Sequence, residues 1–251
     1  MKALILAAGY ATRLYPLTKE YPKPLLKLGE KRIIDYIIEK LQNLKEVDEI
    51  IVVTNSKFMP FFREWVKKVK IKVRLSLVDD LTKTLTERRG AIGDINFAIN
   101  KKRIKDDLLV IGGDNLFNDD LNQFLSFVKS RKEEPVIGAY DVGGLEKARH
   151  YGVIKLNNRD KIVNFQEKPE IPKSTLVAMC LYYFPEEKLR FIKEYASNKA
   201  KETDATGLYI DWLSKKTPVY GFTFNGQWYD IGEHRFYNEA KEAYLNRKRR
   251  S

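Results

Sequence analysis

The chain has 251 residues, 43% of them hydrophobic, enough to bury a substantial core in one large domain or two small ones. Its single cysteine, Cys180, excludes an internal disulfide framework and a cysteine-based zinc site and suits a reducing compartment. The net charge of +12 is dispersed over "REWVKKVKIKVR", "NKKRIK" and "RKRRS", which reads as a solvated surface and not as a nucleic-acid face. No apolar run approaches a membrane span, and "ALILAA" is too short for a signal peptide, so the expected location is the cytoplasm with no membrane partner.

In chain order, "ALILAA" predicts a buried strand. "IIDYIIEKLQNL" (33–44) spaces Ile33, Ile34, Ile37, Ile38, Leu41 and Leu44 as one face of a helix. "EIIVVTN" (49–55) is a strand, and "PFFREWVKKV" a helix opened by Pro60. "IKVRLSLV" (71–78) alternates as a strand. Gly90 and Gly93 punctuate a loop, after which "GDINFAINKKRI" is helical. "DLLVIGGD" (107–114) is a buried strand, and "DDLNQFLSFVKSR" a helix with aspartates at its start. The second half is richer in strands: "EPVIGAYDV", "YGVIKLN", "DKIVNFQEK", "TLVAMCLYYF" and "PVYGFTF". "NNRD" is the turn of a hairpin. Two helices are clear there, "PEEKLRFIKEYASNK" and "RFYNEAKEAYLNRK", with a frayed tail after Asn246. The β–α alternation implies an α/β fold of Rossmann-like type, with a mixed, mostly parallel sheet, helices on both faces and a small β-rich region beside it. No composition break divides the chain. It reads as one domain over 1–251, with halves at about 1–130 and 131–251.

Ligands of open α/β sheets bind at the carboxyl ends of the strands, where several clusters fall. In "LILAAGYATRLYPLTKEYPKPLL" a strand breaks at Gly9 and runs into a loop carrying Arg13 and Lys23. Turn amides and fixed cations make an anion cradle, and a purely structural loop is the other reading. It is neither a Walker loop nor a dinucleotide fingerprint. "LLVIGGDNLF" presents Asp114 and Asn115 beyond Gly112-Gly113, suited to a hard divalent ion or to an ordinary turn. Asp230 in "GQWYDIGE" is either a second carboxylate on that ion or an Asx-type turn. Glu167-Lys168 closes the hairpin, as a grip on sugar hydroxyls and phosphate or as a solvated ion pair. His150 and His234 are too far apart in sequence for a metal pair. Cys180 reads as a packed core thiol.

Together these residues resemble the sugar-1-phosphate nucleotidyltransferases, notably the glucose-1-phosphate thymidylyl- and uridylyltransferase group. Leu6–Thr18 and Pro22–Leu26 are similar to the opening glycine-rich motif. "GDN" (113–115), "YGV" (151–153), "EKP" (167–169) and "WYDIG" (228–232) follow in family order. The resemblance implies transfer of a nucleotidyl group from an NTP, dTTP or UTP first, to a sugar 1-phosphate, glucose 1-phosphate first, with release of pyrophosphate. It assigns the nucleotide to Leu6, Ala8, Gly9, Ala11, Thr12, Arg13, Lys23, Gly90 and Asp114. Asn115, Gly152, Glu167 and Lys168 fall to the sugar phosphate, with Gly152 letting the sugar lie against backbone. Mg²⁺ falls to Asp114 and Asp230, and catalysis to Arg13, Lys23, Asp114 and Lys168. Relatives commonly form homo-oligomers. Three departures stand out: Ala11 replaces the third glycine, the segment before Gly90 is not a close match to the base-binding motif, and Cys180 stands at a usually small position. The chain is also expected to lack the C-terminal β-helix domain of larger relatives. The alternatives are a CTP-dependent cytidylyltransferase acting on inositol 1-phosphate, phosphocholine or a sugar phosphate, a glycosyltransferase, for which a D-x-D motif is missing, and a noncatalytic nucleotide- or nucleic-acid-binding regulator.

Overall fold

The computed structural model describes residues 1–131, 133–198 and 202–247. The strands are β1 (Lys2–Leu6), β2 (Lys27–Leu28), β3 (Lys31–Arg32), β4 (Glu49–Thr54), β5 (Arg74–Asp79), β6 (Leu108–Gly112), β7 (Asn115–Phe117), β8 (Val136–Asp141), β9 (Gly152–Leu156), β10 (Ile162–Glu167), β11 (Leu176–Phe184), β12 (Tyr220–Phe224) and β13 (Trp228–Asp230). The helices are α1 (Ile33–Leu41), α2 (Met59–Val66), α3 (Gly90–Lys102), α4 (Leu121–Ser130), α5 (Leu145–Ala148), α6 (Leu189–Ser197), α7 (Thr206–Ser214) and α8 (His234–Arg247).

Nine strands form the central sheet in the order β10-β9-β11-β6-β1-β4-β5, with β8 added against β11 and β12 against β8. β6, β1, β4 and β5 run parallel, as do β8 and β12. β11 runs antiparallel to both β6 and β8, and β9 and β10 form the expected hairpin. Along β11 the register shifts between Ala178 and Tyr182. Its first half also meets β9 and its second half meets β6. β11 is therefore the seam between the two halves of the chain.

The period-2 side-chain pattern of a strand explains why β1, β4 and β6 read as unbroken apolar runs. Ala3, Ile5, Ile50, Val52, Leu109 and Ile111 pack on one face with residues of α1, α2 and α4. Leu4, Ile51, Val53, Leu108 and Val110 pack on the other with residues of α3, α6 and α7. At roughly 2 kcal/mol for each fully buried Leu or Ile, these two layers supply most of the drive that closes the fold.

Several sequence expectations move. α3 begins at Gly90, so Gly90 and Gly93 lie within the helix and not in a loop before it. Gly90 has φ +73°, and a Cβ there would sit 2.5 Å from the Asp204 nitrogen, so glycine is set by close backbone approach. β5 starts at Arg74 and α1 ends at Leu41, each shorter than the periodic run suggests. α7 is a helix that sequence reading did not separate. Trp228–Asp230 is a strand paired with β7, in place of a turn. The helix expected over "PEEKLRFIKEYASNK" is a short 3₁₀ turn followed by α6, and its Lys199 lies outside the described residues, as does the tail beyond Arg247. No helix among the described residues is long and apolar enough to cross a membrane.

Candidate active site

The carboxyl ends of β1 and β6 carry the first two groups. β1 delivers the chain to Ala7 and Ala8, whose carbonyls accept from Thr54 Oγ1 (3.2 Å) and Asn55 Nδ2 (2.8 Å) and are thereby fixed. The loop then turns at Ala11, which adopts φ 48°, ψ 46° despite its Cβ. Its carbonyl accepts from Leu14 N (2.9 Å) and Thr18 Oγ1 (2.7 Å), contacts that hold the left-handed residue in place. Arg13 projects from the following turn, and Lys23 from a 3₁₀ turn over Lys23–Leu25.

β6 ends at Gly112, after which Gly113 N donates to Leu6 O (2.8 Å) and locks Asp114 beside the loop. Lys23 Nζ donates to Asp114 Oδ2 and to the Ile231 carbonyl (2.8 Å). Asn115 Nδ2 donates to Asp114 Oδ1 (3.0 Å), and Trp228 Nε1 donates to Asn115 Oδ1 (2.9 Å). The β13–β7 ladder sets Asp230 opposite Asn115, and Ile231 N donates to Asp114 O (3.1 Å). The two carboxylates predicted from distant motifs are thus brought to one place by three residue pairs of antiparallel sheet.

Their electrostatics differ. Burial opposes ionisation of Asp114, but the Lys23 ammonium and the Asn115 amide hold its carboxyl below the usual range. Burial and the charge of Asp114 push Asp230 up to about 6, against the opposing pull of Lys23, Arg13 and Lys168. Arg13 Nη1 pairs with Glu233 Oε1 at 3.0 Å. No cluster of three or more His, Cys, Asp or Glu side chains placed to hold a metal occurs among the described residues.

These groups open onto a cleft of about 460 Å³. Arg13, Asp114, Asn115, Asp230, Gly152, Glu167 and Lys168 all line it, so five separate motifs of the sequence converge there. Glu167 leans on two glycines: a Cβ on Gly207 would lie 1.9 Å from its Oε2, and one on Gly152 would lie 3.4 Å away. Burial raises its carboxyl, with Lys168 acting in the opposite sense. Lys168 has φ 40°, and its N donates to Tyr151 O (3.1 Å). Gly90 lies beneath Asp204, and its neighbour Ala91 reaches the cleft wall. Leu6, Ala8, Gly9, Ala11, Thr12, Lys23 and Gly90 are not among the cleft's lining residues; all but Gly90 lie along the end of β1 and the loop after it.

Sequence reading missed part of the wall. Tyr182 and Thr206 face the cleft and are joined hydroxyl to hydroxyl at 2.7 Å. Gly207 follows Thr206 in the first turn of α7, and Tyr151, Ala178 and Glu233 also line the surface. The Thr-Gly start of "TGLYIDWLS" was the available signal for the helix, and the Trp228 of "WYDIG" for the wall. Cys180 and His150 line the cleft too, so Cys180 is not sealed in the core as expected. Burial and nearby Asp114 push its thiol up to about 12, which keeps it protonated and unreactive.

A cationic loop beside a carboxylate pair, opening onto a cleft with glycines in its wall, defines an α/β protein with a charged site at the ends of its parallel strands. The family model described as "Nucleotidyl transferase" matches residues 2–247, and the chain belongs to that family of enzymes. It is 32% identical over 234 residues to the bifunctional protein GlmU of Methanocaldococcus jannaschii, covering 92% of this chain and 51% of that protein. It is 29% identical over 233 residues to a bifunctional sugar-1-phosphate nucleotidylyltransferase/acetyltransferase of Sulfurisphaera tokodaii, covering 93% and 53%. The chain spans about half the length of the curated relatives it matches. A solved UDP-glucose pyrophosphorylase complexed with UDP-glucose superposes with TM-score 0.82 at 21% identity, covering 98% of both chains. A putative glucose-1-phosphate thymidylyltransferase from Bacillus anthracis, solved with a sucrose, gives TM-score 0.79 at 23% identity over 97% and 95%. At such identities these likenesses establish the fold.

Proposed function

We propose that this protein transfers a nucleotidyl group from an NTP to a sugar 1-phosphate, releasing pyrophosphate, with dTTP or UTP and glucose 1-phosphate as the first substrates to test. The observation that carries this is the convergence of Arg13, Asp114, Asp230, Glu167 and Lys168 on one cleft from motifs scattered along the chain, with Lys23 bound to Asp114 beside it. The similar proteins support the choice of acceptor, since they include a glucose-1-phosphate adenylyltransferase of Clostridium novyi as well as the thymidylyltransferase and UDP-glucose enzymes.

The attacking oxygen of a sugar phosphate is already anionic, so the reaction needs no strong general base. The difficulty is bringing two anions together, and positioning with electrostatic stabilisation dominates such chemistry. In this reading Lys23 neutralises charge at the α-phosphate and Arg13 holds the departing pyrophosphate. The amides after Gly9 cradle the triphosphate. Lys168 binds the sugar phosphate. Glu167 accepts from sugar hydroxyls, and Gly152 and Gly207 keep the space beside it open. The base lies along the α3 start, where Gly90 sets the backbone and Ala91 gives the contact surface.

Asp114 and Asp230 fit a Mg²⁺ ion. Two half-buried carboxylates, of which Asp114 raises the cost of ionising Asp230, are relieved by a shared cation, and Mg²⁺ commonly takes one or two carboxylates with phosphate oxygens and water. Held by Asp114 and Asp230, such an ion would supply charge neutralisation for the phosphates brought together in the reaction.

The test is pyrophosphate release with Mg²⁺, crossing ATP, CTP, GTP, UTP and dTTP against glucose, mannose, N-acetylglucosamine and inositol 1-phosphates. Release that requires one NTP and one sugar phosphate together is expected. A requirement for CTP with inositol 1-phosphate would replace this reading with the cytidylyltransferase, and binding of nucleotide without release in any pair would replace it with a noncatalytic role.

A further inference from the structure

We propose that Glu233 is a built-in competitor for the Arg13 guanidinium, an internal anion that loosens the hold on pyrophosphate and so speeds its departure. The inference rests on the reading of Arg13 as a pyrophosphate ligand and adds a regulating residue to that site.

The geometry is that of a strap. Between β13 and α8 the chain passes over the loop that carries both cations, and two residues of the strap offer it oxygen. Ile231 O accepts from Lys23 Nζ at 2.8 Å, and Glu233 Oε1 accepts from Arg13 Nη1 at 3.0 Å. His234 Nε2 stands 2.9 Å from Tyr15 O, which anchors the far end of the strap to the same loop. Gly232 passes so close that a Cβ there would lie 3.2 Å from Arg13 Nη2. The next cation along the chain, Arg235 in the first turn of α8, is engaged with Glu239 at 2.8 Å, so it does not answer the charge of Glu233. Arg13 and Glu233 both line the cleft.

Energetics separate this pair from a structural one. The Arg13 and Glu233 side chains are 66% and 50% exposed, and an ion pair so hydrated adds little to folding stability. Its placement is therefore free to serve binding. A phosphate presents more charge and paired acceptor oxygens to a guanidinium, so it displaces the carboxylate. The displaced Glu233 carboxylate stays beside the phosphate. That repulsion weakens the complex, and when the phosphate moves off, the carboxylate recaptures Arg13.

Titration calorimetry of inorganic pyrophosphate into the full chain tests this, using wild type, Glu233→Gln, Glu233→Asp and Glu64→Gln, each also in an Arg13→Ala background. Glu64 pairs with Lys67 on α2 and controls for a remote change of one charge. Glu233→Gln is expected to tighten pyrophosphate binding by about 3- to 10-fold at low salt, less at high salt, as one like charge near a surface site implies. Glu233→Asp retains the charge and stays near wild type, Glu64→Gln does the same, and the gain disappears when Arg13 is alanine. In turnover, Glu233→Gln lowers the inhibition constant for pyrophosphate without raising the KM for the sugar phosphate, a split that a purely structural role would not give. Unchanged or weaker pyrophosphate binding by Glu233→Gln, or a gain that persists without Arg13, overturns the proposal alone. If Arg13→Ala leaves pyrophosphate affinity untouched, the parent reading of Arg13 falls first and takes this one with it.

Discussion

On the parallel side of the sheet, Arg13 and Lys23 stand on the loop leaving β1 and Asp114 on the turn leaving β6, all beyond strand ends. On the antiparallel side, Glu167, Cys180 and Tyr182 stand on β10 and β11 themselves, with Gly207 on a helix laid against them. The first side works through charge and backbone placed where strands stop. The second works through shape, since its carboxylate is seated against glycines whose Cβ atoms would collide with it or its neighbour Phe165. In the proposed reading the charged side takes the phosphates, which are small, highly charged and alike from substrate to substrate. The packed wall takes the sugar, where the direction of a hydroxyl is discriminated better by shape than by a loop.

This contrast sets out how to perturb the molecule. The largest effect should come from the charged side. Lys23→Ala removes the cation that stabilises Asp114 and is expected to lower kcat/KM by about 10²–10³-fold, the scale of losing one preorganised donor to developing charge. Steady-state kinetics with both substrates varied would show the loss in kcat, and a change confined to KM for the sugar would break the division of labour. On the shaped side, Gly207→Ala displaces Glu167 and should raise KM for the sugar phosphate about 10-fold, with about 1–3 kcal/mol lost in stability from overpacking. KM for the NTP should hold, and if both rise together the two sides are not separable.

A smaller effect lies where the sides join. Asp94 on α3 is 93% buried, with Oδ1 unpartnered, and burial and the adjacent Asp80 push it up to about 8. Its folded pKa exceeds the unfolded value, so the fold binds the extra proton between about pH 4 and about 8. Stability should decline as pH rises through that window, by on the order of 1 kcal/mol per pH unit at most, and level above it. Urea unfolding of Asp94→Asn across pH 5–9 should show that slope flattened, and a slope equal to wild type would assign it to other groups. The smallest effect is at the strained turn. Ala11→Gly relieves a left-handed alanine at some cost in unfolded-chain entropy, for a net gain of about 0.5 kcal/mol read as a rise in Tm. A fall in Tm would mean that the alanine methyl packs well enough to outweigh the strain.

The same contrast explains what could be read in advance. Arg13, Lys23 and Asp114 announce themselves locally, because a strand that ends in glycine and runs into cations or an aspartate is a contiguous pattern. Asp230 was visible as a residue but not as a strand, because three residues pairing with β7 carry no periodic signal. α7 was hidden for a different reason. It packs between β10 and α3 and buries Gly207, Tyr209, Ile210 and Leu213, so its apolar residues are not confined to the stripe that marks a surface helix. The seat of Glu167 depends on Gly152 and Gly207, fifty-five positions apart (207 − 152), and only the fold makes them neighbours. The Arg13–Glu233 pair, at a separation of 220, is of the same kind.

The short β13–β7 ladder has one more consequence. Strand side chains alternate faces at every step, so the ladder behaves as a ratchet with a pitch of one residue. Gaining or losing a single residue between Trp228 and Ile231 would leave a hydrogen-bonded ribbon possible yet turn the Asp230 carboxylate to the opposite face, away from Asp114. Over this stretch the protein can tolerate changes of side chain far more readily than changes of length, and the spacing of its two acids is kept by counting.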